Sequence, residues 1–167
     1  MIELTYEQID WNRSSERIQH ASDNFLKGFN CSQSVFSAFA PSFGLSEEFA
    51  LKLSCSMGAG MGRMREVCGA VSAMALIVSL VNGNTDPEDT DAKTENYRTV
   101  RMLADLFRRK RNTILCRELL GIVKAENEAR PQDRTAAYYA SRPCLSVVRD
   151  ASVILEYYLD FYPAYRS

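Results

Sequence analysis

Apolar residues recur along this chain at helical spacing, and polar or glycine-bearing stretches interrupt them. Ile18, Ala21, Phe25 and Leu26 fall near one face, and Gly28 follows as a stop. This predicts a helix over Ser14–Lys27. Asn30 is a fitting N-cap for a second helix, in which Cys31, Val35, Ala38 and Phe39 share a stripe before Pro41 and Gly44 end it. Ser46 with Glu47 and Glu48 opens a third, to about Cys55, with acidic residues at the positive helix pole. From Cys68 to about Val81 nearly every residue is apolar or small, which predicts a central helix buried on most sides. A long charged helix is expected over Ala92–Lys110, with Tyr97, Val100, Ala104 and Phe107 inward and "RRKR" at its negative pole. "CRELLGIVKAE" reads as a short helix and "ARPQDRT" as a loop. Pro143 opens a last helix to about Tyr158.

No alternating strands joined by a tight turn are visible, so the expected class is all-α. With 167 residues and no clear linker, the chain reads as a single helical domain over 1–167, a compact bundle of about five to seven helices. The net charge of −1 gives no global field that would draw nucleic acid or an anionic membrane. The longest apolar run, Ala70 to Val81, is too short to span a bilayer. The first residues lack the basic start and apolar block of a secretory leader, so the cytoplasm is the expected compartment. Five cysteines is an odd count and none are spaced C-x-x-C, which argues against a permanent disulfide framework.

Those cysteines change the picture. Cys31, Cys68, Cys116 and Cys144 each fall where a helix is about to begin. Unpaired N–H groups and the positive end of the dipole there favour a thiolate, which is both nucleophile and metal ligand. Just ahead of Cys68, "SMGAGMGRMREV" carries Gly58, Gly60 and Gly62 with Arg63 and Arg65. Its backbone N–H groups offer an anion cradle, but it follows no strand and lacks the lysine and hydroxyl of a P-loop; a tight turn between close helices is the plainer reading. His20 is the only histidine and reads as a boundary residue, and Trp11 with Tyr6 as a docked N-terminal arm. The aromatics Tyr157, Tyr158, Phe161, Tyr162 and Tyr165 suit either a homodimer interface or packing within the chain.

The stretches "GFNCSQSVFSAF", "GAGMGRMREVCGAVSA", "ILCRELLG" and "RPCLSVVRDASVIL" together resemble the C_GCAxxG_C_C family, named as redox-active proteins for four well-separated cysteines. The resemblance runs from about Ala21 to Leu155 and implies that Cys31, Cys68, Cys116 and Cys144 are the family cysteines; Cys55 lies outside the pattern. In the core element Cys68–Ala73 the family's last glycine is replaced by Ala73. A similar haem-bearing cytochrome carries a C-x-x-C-H site, which this chain lacks, so haem is not carried over.

The leading expectation is thiol–disulfide exchange with a thiol or disulfide partner. Cys31, Cys68, Cys116 and Cys144 are its candidate catalytic residues, and Gly58, Gly60, Gly62, Arg63 and Gly69 the candidate cradle. Cys68 ranks first and Cys31 second as the low-pKa nucleophile, with these two as the exchanging pair, because Gly69 lets another group approach closely; Arg63 or Arg65 would favour the thiolate. One alternative gathers the four cysteines around a metal or iron–sulfur cluster, although no C-x₂₋₄-C knuckle supports zinc. Another is a non-catalytic helical interaction protein whose cysteines only pack.

Overall fold

The computed structural model describes residues 2–123 and 128–165. Their architecture is all-α. Six helices run eight residues or more: α1 (Glu16–Leu26), α2 (Cys31–Phe39), α3 (Glu47–Ser54), α4 (Gly69–Asn82), α5 (Thr90–Arg111) and α8 (Cys144–Leu159). Two are short, α6 (Cys116–Leu119) and α7 (Ala136–Ser141). The only strand-like pairing among the described residues is an isolated antiparallel bridge, Val67 with Leu115.

Side-chain caps set most of the helix starts. Ser15, Ser46, Asp89 and Thr135 each accept a hydrogen bond from the backbone N–H three residues on. Asn30 does the same for Gln33, whose side chain reaches back to the Asn30 N–H, so both orphan donors at the start of α2 are satisfied. The α7 helix falls in a stretch expected to separate a loop from the last helix. The expected short helix from Cys116 ends at Leu119, where Gly121 turns left-handed, and its last expected residues, 124–126, lie outside the described residues.

One continuous apolar cluster joins the long helices. As expected, α4 packs against α2, α5 and α8. It shares the centre with α8, eleven of whose sixteen residues are buried. The inward stripe of α5 is Asn96, Thr99, Leu103, Leu106 and Phe107, whereas Tyr97, expected inward, is 63% exposed. Two polar residues are admitted because they are satisfied: Asn96 donates to Asn82 Oδ1 at 2.9 Å and Thr99 to the Glu95 carbonyl at 2.9 Å. Likewise α1 buries Arg17, which grips Glu156 of α8 through Nε and Nη2 at 2.9 and 2.8 Å.

Both arms fold back on the bundle. The Asp10 N–H donates to Tyr157 Oη, and Arg149 donates to the Trp11 carbonyl. At the other end Tyr165 stacks on Phe43 at 4.3 Å and its carbonyl accepts from Arg17. Most of the C-terminal aromatics are thus engaged within the chain, while Phe161 is 46% exposed. Among the described residues no helix is long and apolar enough to cross a membrane.

Candidate functional site: a four-cysteine cavity

Each of the four cysteines stands at a helix start. Cys31, Cys116 and Cys144 are the first residues of α2, α6 and α8, and Cys68 caps α4. Different local devices put them there. The Asn30 capping box fixes Cys31, and Asn30 Nδ2 also donates to the Cys55 carbonyl at 2.8 Å. Gly58 is required beside it, since a Cβ there would lie 2.2 Å from Asn30 Cγ. Cys68 and Cys116 are tied by the lone bridge. The Cys68 N–H donates to the Ile114 carbonyl at 2.8 Å and the Cys116 N–H to the Glu66 carbonyl at 2.7 Å. Cys144 follows Pro143, whose carbonyl accepts the first bond of α8 from the Val147 N–H.

The segment between α3 and α4 is the unusual part of the chain. Residues 59 to 63 all have positive φ, from 54° to 76°, so the chain winds through a left-handed turn. Ala59, Met61 and Arg63 hold this geometry without being glycine, at roughly 1–2 kcal/mol each. Bonds from the Gly62 N–H to the Ser56 carbonyl and from the Glu66 N–H to the Gly60 carbonyl fasten it. At Gly60 a Cβ would fall 2.8 Å from Cys116 Cβ, so only glycine lets that cysteine pack against the turn.

The turn presents the Ala59 N–H to the Cys31 sulfur, which also receives the N–H groups of Gly69 and Ser32. Gly69 is the close approach anticipated from the sequence: a Cβ there would lie 2.7 Å from Cys31 Sγ. The Cys68 thiol donates the strongest bond to Cys31. That bond outweighs burial, and with the three N–H groups it brings the Cys31 pKa down to about 6. Cys68 moves the other way, well above the usual thiol range, because its proton is held by Cys31, it is buried, and the Cys31 charge opposes a second one. Burial pushes Cys116 up, against Arg65, whose Nη1 stands 3.9 Å from its sulfur. Burial also pushes Cys144 up to about 11, helped by repulsion from Cys31. Of the expected pair, Cys31 receives three backbone N–H groups and Cys68 one, which favours the charge on Cys31 rather than on the first-ranked Cys68. The first N–H of α4 points at the sulfur of Cys31 and the second, that of Ala70, at the sulfur of Cys68. Arg65, expected beside the nucleophile, stands next to the Cys116 sulfur.

All four sulfurs line a single cavity of about 60 Å³ whose remaining wall is largely apolar, including Phe25 and Val147. That volume holds a few waters or one small group. The cavity shares Asn30, Ala59, Arg65, Arg134, Tyr138 and Arg142 with a wider outer one of about 230 Å³, which Gly58, Gly62, Arg63 and Cys55 also border. All five cysteines are free thiols. Among the described residues no three cysteine, histidine, aspartate or glutamate side chains are placed to hold one metal ion. His20 lies elsewhere, paired with Glu47. Arg134, Tyr138 and Arg142 were not anticipated; the arginines flank α7, Tyr138 lies within it, and no motif marks them.

Over residues 29–158, spanning all four cysteines, the sequence matches the model of a family described as "Putative redox-active protein (C_GCAxxG_C_C)". The chain belongs to this family. The description given to the C_GCAxxG_C_C proteins supports a general redox role for a chain whose family cysteines share one cavity. No curated protein and no solved structure was found to match the chain.

Proposed function

We propose that this protein performs thiol–disulfide exchange, with Cys31 as nucleophile and Cys68 as resolving thiol. What carries the reading is the hydrogen bond from the Cys68 thiol to a Cys31 sulfur already cradled by three backbone N–H groups. With a pKa of about 6, Cys31 is roughly nine-tenths thiolate at neutral pH, close to the optimum for an attacking sulfur. The Cys31 thiolate attacks one sulfur of a disulfide R–S–S–R. A Cys31–S–S–R bond forms, and R–S⁻ leaves and takes a proton from water. Cys68 then gives its proton to water and attacks the Cys31 sulfur, closing the Cys31–Cys68 disulfide and expelling the second R–S⁻. The protein loses two electrons and the substrate gains them. The reverse sequence oxidises a dithiol partner.

In this reading the disulfide passes on by further exchange to Cys116 or Cys144, which border the same cavity as protonated thiols. In this reading the chain works as one helical domain in the cytoplasm, as a homodimer, and needs no metal. Cys68→Ser tests it. Treated with hydroxyethyl disulfide, this variant should accumulate a mixed disulfide on Cys31 that the wild type resolves. Adducts spread evenly over all cysteines, or absent from Cys31, would refute the assignment.

A further inference from the structure

The outer cavity has a marked chemical bias. The guanidinium groups of Arg134 and Arg142 border it, and no aspartate or glutamate is among its described lining residues. The partners seen for Arg134 and Arg142 are neutral. Arg134 Nη2 donates to the Phe29 carbonyl at 3.1 Å, and its guanidinium lies over the rings of Phe25 and Tyr138 at 4.8 and 4.6 Å. Its Nη1 is buried and has no hydrogen-bond partner. Arg142 also lies over the Tyr138 ring, at 4.6 Å, and donates to the Gln132 amide oxygen. Neither guanidinium has a carboxylate partner among the described residues. The aromatic rings hold both guanidinium planes in place without neutralising them.

The position of this cavity says what kind of anion fits. It shares its inner wall with the four-cysteine cavity, so a group bound by the arginines presents its neighbouring atoms to Cys31. The inner space of about 60 Å³ takes a sulfur with a short chain, not a folded partner's loop. Resting on the exchange chemistry above, we propose that the substrate is a small disulfide carrying carboxylates. Arg134 and Arg142 hold a carboxylate in the outer cavity, and the disulfide sulfur reaches Cys31. Attack and resolution proceed as already written, each carboxylate-bearing thiolate leaving through the cationic mouth.

The test compares three disulfides at low salt: dianionic 3,3′-dithiodipropionate, neutral hydroxyethyl disulfide and dicationic cystamine. Rates are divided by those of a free small thiol with the same reagents. The wild type should favour the dianion over the neutral disulfide by about tenfold or more. In Arg142→Gln that preference should collapse, and Arg142→Lys should keep part of it. Suberate, the redox-inert carbon analogue of dithiodipropionate, should bind the wild type and bind Arg142→Gln about tenfold more weakly by calorimetry. A charge-blind rate, or suberate binding that is absent or indifferent to Arg142→Gln, overturns the assignment. If no disulfide reacts at Cys31, the exchange chemistry falls, and suberate binding alone still decides whether the cavity is a carboxylate site.

Discussion

Replacing Gly69 with alanine probes the thiolate cradle at its tightest point. The new Cβ would stand 2.7 Å from Cys31 Sγ and 2.8 Å from the Met57 carbonyl oxygen. Non-bonded heavy atoms rest at roughly 3.5–4.0 Å, so the sulfur must retreat by about 1 Å. The Gly69 N–H then no longer reaches it. A hydrogen bond to a charged acceptor contributes about 1.5–3 kcal/mol, and one pH unit in an acid constant is 1.36 kcal/mol. Loss of that bond alone should raise the Cys31 pKa from about 6 to roughly 7–8. Stability should fall by about 1–3 kcal/mol from overpacking, offset by up to about 1 kcal/mol of helix propensity. The assay is thiolate ultraviolet absorbance against pH, taken as the difference from Cys31→Ser in the same background. A folded Gly69→Ala protein whose Cys31 still ionises near 6 would show that the backbone cradle is not what acidifies it.

Other consequences follow from the same geometry. Cys68→Ala removes the donor to Cys31 and should raise its pKa further than Cys68→Ser, whose hydroxyl still donates; the pH profile of Cys31 alkylation separates them. Because the folded-state pKa of Cys31 is depressed, its ionisation stabilises the fold above the unfolded thiol pKa and that contribution is lost as pH falls through about 6. Wild type should therefore gain stability over Cys31→Ser by about 1.4 kcal/mol per pH unit between about 6 and 8.5 in denaturant titrations; a pH-independent difference would contradict this. Met61→Gly relieves an exposed residue with a φ of 58° and should raise stability by about 1 kcal/mol, or Tm by about 2–4 °C. Arg17→Ala leaves the buried Glu156 carboxylate without its main partner and should cost about 3–5 kcal/mol in the same titration, more than removing any exposed ion pair.

The helices were legible because their signals are local. Asn30 and Ser46 announce their helix starts locally, and the apolar stretch of α4 announces its own burial. The inward face of α5 was misjudged at Tyr97 because burial there follows satisfied polar groups, Asn96 and Thr99, which hydropathy counts as outward. The four cysteines were visible as helix starts and as a family pattern, and the role of Gly69 followed from its lack of a side chain. Which sulfur is acidified was not legible, since it depends on N–H groups of Ala59 and Gly69, remote in sequence from Cys31, that converge on it. The left-handed turn was hidden because Ala59, Met61 and Arg63 carry no sign of positive φ. Arg134 belongs to the expected loop and Arg142 to the unmarked residues before Pro143, and only Tyr138 brings both guanidinium groups to one ring.

Identification of the first disulfide to form is the most direct test of the exchange chemistry. The reduced protein would be oxidised with less than one equivalent of hydroxyethyl disulfide, quenched with acid and alkylated, and its cross-linked peptides sequenced by mass spectrometry. The account predicts a bond between Cys31 and Cys68, formed with a rate that rises through about pH 6. A first bond that leaves out Cys31, or a protein that stays fully reduced while free thiols in the same tube oxidise, would contradict it.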